Sequence, residues 1–366
     1  MPTSYLDVDS EIFRQPVALF LTPILQAWSL TDLIVMNPRQ AKIAILGAGL
    51  AGLNLANLLK ANAEILLFEK SNKLGGRMAT HRCNGFEFDH GAQYFTAKDS
   101  LFKDWVASLM DAKVVASWPA RFVEIEHRSM ISQRTWDDAF PHYVGIPSMN
   151  AIAQHLAEGL DVRFNQLITG IKSHHAKWLL ETADGQFGVF DWVVSTLPAE
   201  QAKVILPDSY QQKKALQSLQ MQPCFTLMLG YDSARHSPWD AAFISQSILS
   251  WVSVNSAKPN RGNSYTLVAM SQNAWARDNF DRPKAQIIAE LLAELEGVMG
   301  EKLGDATYIK LKKWKFANAD KQKNELSFVD HTAKLTCCGD WCISGRIESA
   351  FMSSARVADT IKASLI

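Results

Sequence analysis

The sequence has no excess charge of either sign: Lys plus Arg and Asp plus Glu number 37 each over 366 residues. Nothing in that balance recruits nucleic acid or an acidic lipid surface. Cysteine is scarce and odd in number, five in all, with no framework spacing. That excludes a disulfide scaffold and points to a reducing compartment, the cytoplasm. No Cys-x-x-Cys pair occurs, since Gly339, Asp340 and Trp341 separate Cys338 from Cys342. The two are read as buried thiols. No second Cys or His pair accompanies them, so no metal site is expected. Internal repeats and low-complexity tracts are absent. The apolar run over 17–36 lacks a basic leader, because Asp7, Asp9 and Glu11 outnumber Arg14, and a secretory signal is not expected. Pro23, Gln26 and Asp32 interrupt the run and weaken its reading as a membrane span. Residues 1–40 are expected to be an N-terminal extension outside the core. An amphipathic surface helix and a membrane-contacting arm are the other readings, in that order.

What is present begins at Lys42. Residues 42–52 read KIAILGAGLAG, and a second apolar run, EILLFE, closes on Glu69. The order is strand, glycine turn, helix, strand and acid, with Glu69 lying 22 positions after Gly47 (69 − 47). A dinucleotide site needs that order. Gly47 permits the turn, Gly49 lets a pyrophosphate approach the backbone, and Gly52 lets the helix pack on the sheet. The helix start at Leu50 and Ala51 offers free N–H groups and about half a positive charge to phosphates. Glu69 is placed to accept hydrogen bonds from ribose hydroxyls. A second such turn is missing, because Gly297, Gly300 and Gly304 follow a helix pattern rather than a strand. A flavin reductase fed by a separate nicotinamide domain would be expected to show one.

Along the rest of the chain, residues 100–110 pattern as an amphipathic helix and 113–128 as strand. Pro147 and Ser148 signal a helix to about Leu160. Short strands are expected over 161–164, 167–172, 177–182 and 187–190, with a hairpin turn at Asp184–Gly185. An apolar strand runs from Trp192 towards Pro198. Further strands lie within 224–270, a helix covers 284–300, and strand returns over 306–317. The strand 334–338 stops at Gly339–Asp340, and Glu348, Ser349 and Ala350 open a last helix. Ligands in open α/β sheets sit at the carboxyl ends of strands, so both glycine segments belong at one site if their strands share a sheet. The expected fold is α/β: a discontinuous Rossmann-like dinucleotide domain over 41–98, 145–200 and 326–366. A mixed-sheet substrate domain over 99–144 and 201–325 is inserted into it.

Four segments together, GAGLAG with Glu69, GGRMAT at 75–80, DHGAQYFTA at 89–97 and GDWCISGRIESAFMSS at 339–354, resemble the FAD-dependent amine oxidase superfamily. Within it the sequence is most similar to bacterial renalase-like NAD(P)/FAD-dependent oxidoreductases, and KKWKFANA at 312–319 is similar to an aromatic-basic strand of that group. The resemblance covers about residues 41–364 and implies a fold of the glutathione reductase/amine oxidase type. It implies FAD held by Gly47, Gly49, Leu50, Ala51 and Gly52 at the pyrophosphate and by Glu69 with Lys70 at the ribose. Gly75, Gly76, Arg77 and Met78 would hold the phosphate region, and Val162 would meet adenine through its backbone. Gly339–Asp340 would bind the ribityl chain. The helix at Glu348, Ser349 and Ala350 would point its positive end at the flavin, stabilising reduced flavin's negative charge. Ser349 and Ser354 stand where the family commonly has glycine. No cysteine lies in a flavin-attachment motif, so non-covalent FAD is expected.

His90, Gln93, Tyr94 and Phe95 are expected to approach the flavin. His90 could serve as an acid or base but reads more readily as a residue that holds the Asp89–Gly91 turn, and hydride transfer needs positioning more than a strong base, so no general base is assigned. Trp314 and Phe316 alternate with Lys313 and Lys315, so the aromatics are expected to face the pocket and the lysines to face away. Lys310, Lys312, Lys321 and Lys323 would join them in steering an anionic substrate, or would form a solvated basic strand. Trp239, Trp251 and Trp275 are read as core. The resemblance implies an oxidase: hydride passes from a small reduced substrate to flavin N5, and O2 reoxidises the flavin to give H2O2. The favoured substrate is a dihydro-NAD(P) isomer, itself a dinucleotide. The alternatives are an amine oxidase, a desaturase of apolar polycyclic or isoprenoid substrates, and, in another class, a non-catalytic flavin-binding protein.

Overall fold

A computed structural model describes residues 40–233, 235–322 and 328–365. The N-terminal extension expected over 1–40 therefore lies outside the described residues apart from Gln40, as does Lys323.

A six-stranded sheet carries the glycine turn. Its order is Phe328–Asp330, Leu335–Cys337, Trp192–Ser195, Lys42–Leu46, Glu64–Phe68 and Val162–Arg163. All neighbours are parallel except the first pair, which is antiparallel. The central strand is apolar after Lys42 because both its faces are covered. Ile43 and Ile45 pack with Leu53, Phe351 and Val357, whereas Ala44 and Leu46 pack with Phe68, Phe190 and Tyr210. Each large side chain so buried contributes about 1.5–3 kcal/mol. Helices Leu50–Leu59 and Ile347–Leu365 meet on the first face, where Asn54 Nδ2 donates to Ser354 Oγ at 2.9 Å. On the second face lies an antiparallel meander of Ile168–His174, Lys177–Thr182 and Gly185–Phe190.

The second sheet has seven strands, in the order Tyr308–Ala319, Met221–Tyr231, Tyr265–Ser271, Leu249–Val254, Ala241–Ser245, Arg121–Glu126 and Ser129–Thr135. Helix Lys284–Met299 covers it with Ile287, Leu291, Leu295 and Val298, one apolar stripe at helical spacing. The helix stops at Gly300, whose φ of 72° is left-handed.

Two local expectations change. The helix read from Pro147 to Leu160 is regular only over Ala151–Leu156. The N–H groups of Met149 and Asn150 go instead to Asp89 Oδ1 and Thr80 Oγ1. The strand at 308–319 does not alternate evenly. Gln222 pairs with Asn318, but Cys224 pairs with Trp314, so a step of two on one strand matches a step of four on the other. Such a bulge re-aims the side chains within it.

Candidate active site

The glycine turn is built by close approach. A Cβ at Gly52 would lie 2.0 Å from the Gly47 carbonyl oxygen, so the turn and the helix tolerate no side chain there. At Gly49 the same position opens on empty space. Gly75 N donates to Ala48 O at 3.0 Å, docking the Gly75–Gly76–Arg77 segment on the turn. A Cβ at Gly91 would stand 1.9 Å from Arg77 O, and Ala92 N donates to that oxygen at 2.9 Å. The DHGAQY segment is thereby fixed to the arginine loop. Arg77 in turn forks onto Asp340, with Nη1 to Oδ2 at 2.7 Å and Nη2 to Oδ1, and also donates to Ala317 O at 3.2 Å.

These segments wall a cavity of about 1130 Å³. At one end it is lined by Gly47, Gly49, Leu50, Ala51, Glu69 and Lys70, and along its length by Gly75, Gly76, Arg77, Met78, Gly339 and Asp340. Glu348 and Ala350 line it at the start of the last helix. The structure thus brings most of the sequence-selected residues to one space. Three lie behind it. Gly52 packs against Gly47, and Val162 pairs with Leu67 in the edge strand. Ser349 is buried, with its hydroxyl 2.8 Å from Ser344 Oγ. Ser354 is buried too and bonds to Phe351 O, so neither serine enters the cavity. The Glu69 carboxylate is aimed by Ala48 N, Ser71 N and Ser71 Oγ at 2.8–3.1 Å. Helix N–H groups, open space at Gly49, a guanidinium and an oriented carboxylate form a donor and acceptor set that fits a dinucleotide.

The opposite end is aromatic. His90, Gln93, Tyr94, Phe95, Trp314 and Phe316 line it, and so does Trp251, which the sequence pattern assigned to core. Trp251 is buried, but Tyr94 packs against it at a tilt of 37° with ring centroids 5.2 Å apart, so it forms the cavity wall behind that ring. His90 lies nearly parallel to Trp314 at 5.2 Å. Its carbonyl, not its ring, holds the turn, accepting from Trp314 Nε1 and Thr226 Oγ1. Its Nδ1 is buried with no partner among the described residues. Burial, aided by Lys312, pulls its pKa down to about 4, so the imidazole is neutral at pH 7.

Beneath this wall lies a charged network that sequence reading missed. The Asp89 carboxylate accepts from Thr80 Oγ1 (2.8 Å), Met149 N (3.0 Å), Lys258 Nζ (3.3 Å) and an Arg261 Nη (2.6 Å). Lys258 also reaches Gln93 Oε1 at 3.2 Å and Asn255 Oδ1 at 3.1 Å. Burial alone would raise the Asp89 pKa, but the two cations overcome it and hold the carboxyl well below its usual range. Burial pulls Lys258 down to about 8. Gln93 is fixed at both ends of its amide: Oε1 accepts from Lys258 and Ser253, and Nε2 donates to Asp89 O and Gly91 O. Lys258 and Arg261 lie in a Pro-containing loop with no motif, and only the tertiary fold brings them to Asp89.

The lysines depart from the expected arrangement. Lys310, Lys312 and Lys315 line the cavity together with Trp314 and Phe316. Lys310 and Lys312 share the aromatics' parity along the strand, and Lys315 sits in the bulge. Lys313 faces the other way and donates to Phe280 O and Arg282 O. Lys312 lies over the Trp314 ring at 4.7 Å, and burial together with Lys70 and Lys310 lowers its pKa. Lys70 and Lys73 complete a basic rim on the same cavity.

Comparison with known proteins agrees with this geometry. The family model for flavin containing amine oxidoreductase matches residues 124–362, and that for an NAD(P)-binding Rossmann-like domain matches residues 45–109. Renalase of Mus musculus is 22% identical over 282 residues, covering 71% of this chain and 80% of the mouse protein. The 4,4'-diapophytoene desaturase (4,4'-diaponeurosporene-forming) of Staphylococcus aureus is 41% identical over only 64 residues, 17% of this chain and 12% of the desaturase. Among solved structures, putrescine oxidase bound to putrescine superposes with a TM-score of 0.69 at 14% identity, over 88% of this chain and 99% of that one. A protein from Exiguobacterium sp. 255-15 with a provisional protoporphyrinogen oxidase assignment gives 0.72 at 12% identity, with the same coverage. These structural likenesses show the fold. Among the described residues, no helix is long and apolar enough to cross a membrane. With the family model spanning more than half of it, the chain belongs to the flavin containing amine oxidoreductase family and is an FAD-dependent oxidoreductase.

Proposed function

We propose that this oxidoreductase is an oxidase of dihydro-NAD(P) isomers, small reduced dinucleotides, with O2 as acceptor and H2O2 as product. Bound FAD supplies hydride acceptance at N5 and reaction with O2. The observation that carries the substrate reading is the pairing of an aromatic inner wall with a basic rim on one cavity. Trp314 and Tyr94, backed by Trp251, supply aromatic surface for a planar ring. Among the described residues Lys310 and Lys312 have no carboxylate partner, and they repel each other, so they favour an anion. The 22% likeness to renalase supports the same reading. An ammonium substrate gains nothing from that rim.

The chain's own residues would act as follows. The Gly47–Gly52 turn and Arg77 hold the pyrophosphate, Glu69 the adenosine ribose, and Asp340 the ribityl chain. Gln93, locked by Lys258 and Ser253, and the neutral His90 fix the position of the reacting ring. Hydride transfer needs that positioning and exclusion of water more than it needs a base, and we assign none. FAD is held non-covalently. Cys224 lines the cavity, but burial pushes its thiol up to about 11, a poor nucleophile for attachment. The two large sheets support a division into a dinucleotide domain over 41–98, 145–200 and 326–366 and a substrate domain over 99–144 and 201–325. The test is H2O2 release from FAD-loaded protein supplied with dihydro-NAD(P) isomers, primary amines or an apolar tetrapyrrole. Turnover of the isomers supports the reading, and turnover confined to amines or the tetrapyrrole overturns it.

A further inference from the structure

Among the described residues, seven lysines and arginines line the main cavity against three carboxylates. The pyrophosphate of FAD adds about one negative charge per phosphate, which leaves a positive surplus. A surplus of that kind in a cleft concentrates a second anion. Arg77 is already forked onto Asp340. Lys73, Lys310 and Lys312, by contrast, have no carboxylate partner among the described residues.

These three lysines converge on one imidazole. His81 lines the same cavity and is partly buried, with Lys310 Nζ 3.4 Å from its Nε2. Its other close polar neighbour is Tyr308 Oη, 2.6 Å from the same nitrogen. The next ring along, His90, is neutral at pH 7. Burial, then Lys310, Lys73 and Lys312, lower the His81 pKa, and no carboxylate acts against them. Like charges gathered at one point repel each other, and an anion bound among them offsets that cost.

The cluster sits one ring away from the aromatic wall. Ring centroids lie 6.3 Å apart from His81 to His90 and 5.2 Å apart from His90 to Trp314. Lys312 spans the same interval, with Nζ over the Trp314 ring at 4.7 Å. A phosphate at His81 and a planar ring at Trp314 are thus separated by a distance that one ribose bridges.

We propose that Lys73, His81, Lys310 and Lys312 form the docking site for the phosphates of the substrate, so that the enzyme selects a dihydronicotinamide nucleotide over the unphosphorylated riboside. The proposal rests on the reading of the substrate as a dihydro-dinucleotide. An anion among these groups relieves the repulsion on the His81 imidazole, which then takes up a proton. Binding therefore tightens as pH falls through the range of that imidazole.

The test measures heats of binding to FAD-loaded protein at pH 7 and constant ionic strength, in two buffers of different ionisation heat. The probes are oxidised NAD, nicotinamide riboside and inorganic pyrophosphate. NAD and pyrophosphate are expected to compete and to draw part of a proton from the buffer, whereas the riboside draws none. Lys310→Ala combined with Lys312→Ala should weaken NAD and pyrophosphate at least tenfold and leave the riboside within about twofold. His81→Gln should abolish the proton uptake and weaken NAD about threefold. NAD binding indifferent to these variants, a riboside weakened as much as NAD, or pyrophosphate that neither binds nor competes overturns the site. If the dihydro isomers are nevertheless turned over, the site falls and the substrate reading stands. Pyrophosphate binding that is lost in the lysine variants, without turnover of any isomer, keeps the anion site and overturns the substrate reading.

Discussion

Arg77 and Asp340 lie 263 positions apart in sequence, yet the guanidinium forks onto the carboxylate, Nη1 to Oδ2 at 2.7 Å. The pair joins the arginine loop after the first βαβ unit to the strand end that precedes the last helix, and both residues line the main cavity. It is the fastener between two chain segments that must meet for a dinucleotide to be held along its length. Asp340→Ala removes an acceptor from the proposed ribityl position and frees Arg77. It is expected to weaken FAD retention by roughly 1–3 kcal/mol. The flavin-to-protein ratio after dialysis checks this, and an unchanged ratio removes Asp340 from the binding set.

The Asp89–Lys258–Arg261 network is buried, with Asp89 and Lys258 side chains at 0% exposure. Removing one member leaves charge uncompensated in a dry site. Lys258→Met should lower unfolding free energy by roughly 3 kcal/mol, the low end for a broken buried pair, because Arg261 stays on Asp89. Urea unfolding measures it, and a loss under about 1 kcal/mol would show that the lysine is not needed there.

Acid should act on His90 before it acts on Asp89. The folded protein holds His90 neutral down to about pH 4, whereas the unfolded chain protonates it near 6.5. The unfolded state therefore binds more protons in that window, and stability is lost as pH falls through it. The share lost between pH 7 and pH 5 is roughly 2 kcal/mol from the shift. Asp89, with its folded pKa depressed, contributes stability that is fully present above the ordinary carboxylate range and lost only as pH falls below about 4. Denaturant unfolding at pH 7 and pH 5 should show a smaller acid loss in His90→Gln than in the natural protein. Equal losses would mean that His90 is not held neutral by burial.

At Gly52 even a methyl group collides with the Gly47 carbonyl. Gly52→Ala must push helix and turn apart, at a cost of about 1–3 kcal/mol for an overpacked contact. A lower melting temperature together with a lower FAD content is expected. A variant with both unchanged would show that the turn relaxes freely.

The basic rim should be visible in salt dependence. Lys310→Ala and Lys312→Ala are each expected to lower kcat/KM for an anionic dihydro-dinucleotide several-fold at low ionic strength and to flatten its decline with added salt. An unaltered salt slope in the double variant would assign the lysines to a solvated strand.

The first βαβ unit was legible because each of its parts answers a local physical demand. An apolar strand is buried on both faces, a glycine stands where a helix meets a carbonyl, and an acid follows at a fixed distance. The last strand and helix were legible on the same logic. The aromatic strand was only half legible. Alternation placed Trp314 and Phe316 on the cavity, but the bulge opposite Gln222 and Cys224 depends on the partner strand, and it brings Lys315 to the cavity as well. Trp251 was hidden because an aromatic in an apolar strand reads the same whether it packs inside a core or behind a cavity. Lys258 and Arg261 were invisible for a different reason. A lysine and an arginine in a polar loop pattern as surface, and burial follows only from meeting Asp89, 169 and 172 positions earlier in the chain.

The most direct test of the proposed function is anaerobic stopped-flow mixing of FAD-loaded protein with a dihydro-NAD(P) isomer or a primary amine, following the flavin's visible band. The expected result is fast, saturable bleaching by the isomer, slowed in the Lys310 and Lys312 variants, with no bleaching by the amine. Fast bleaching by the amine alone, or an isomer that leaves the band unchanged, contradicts it.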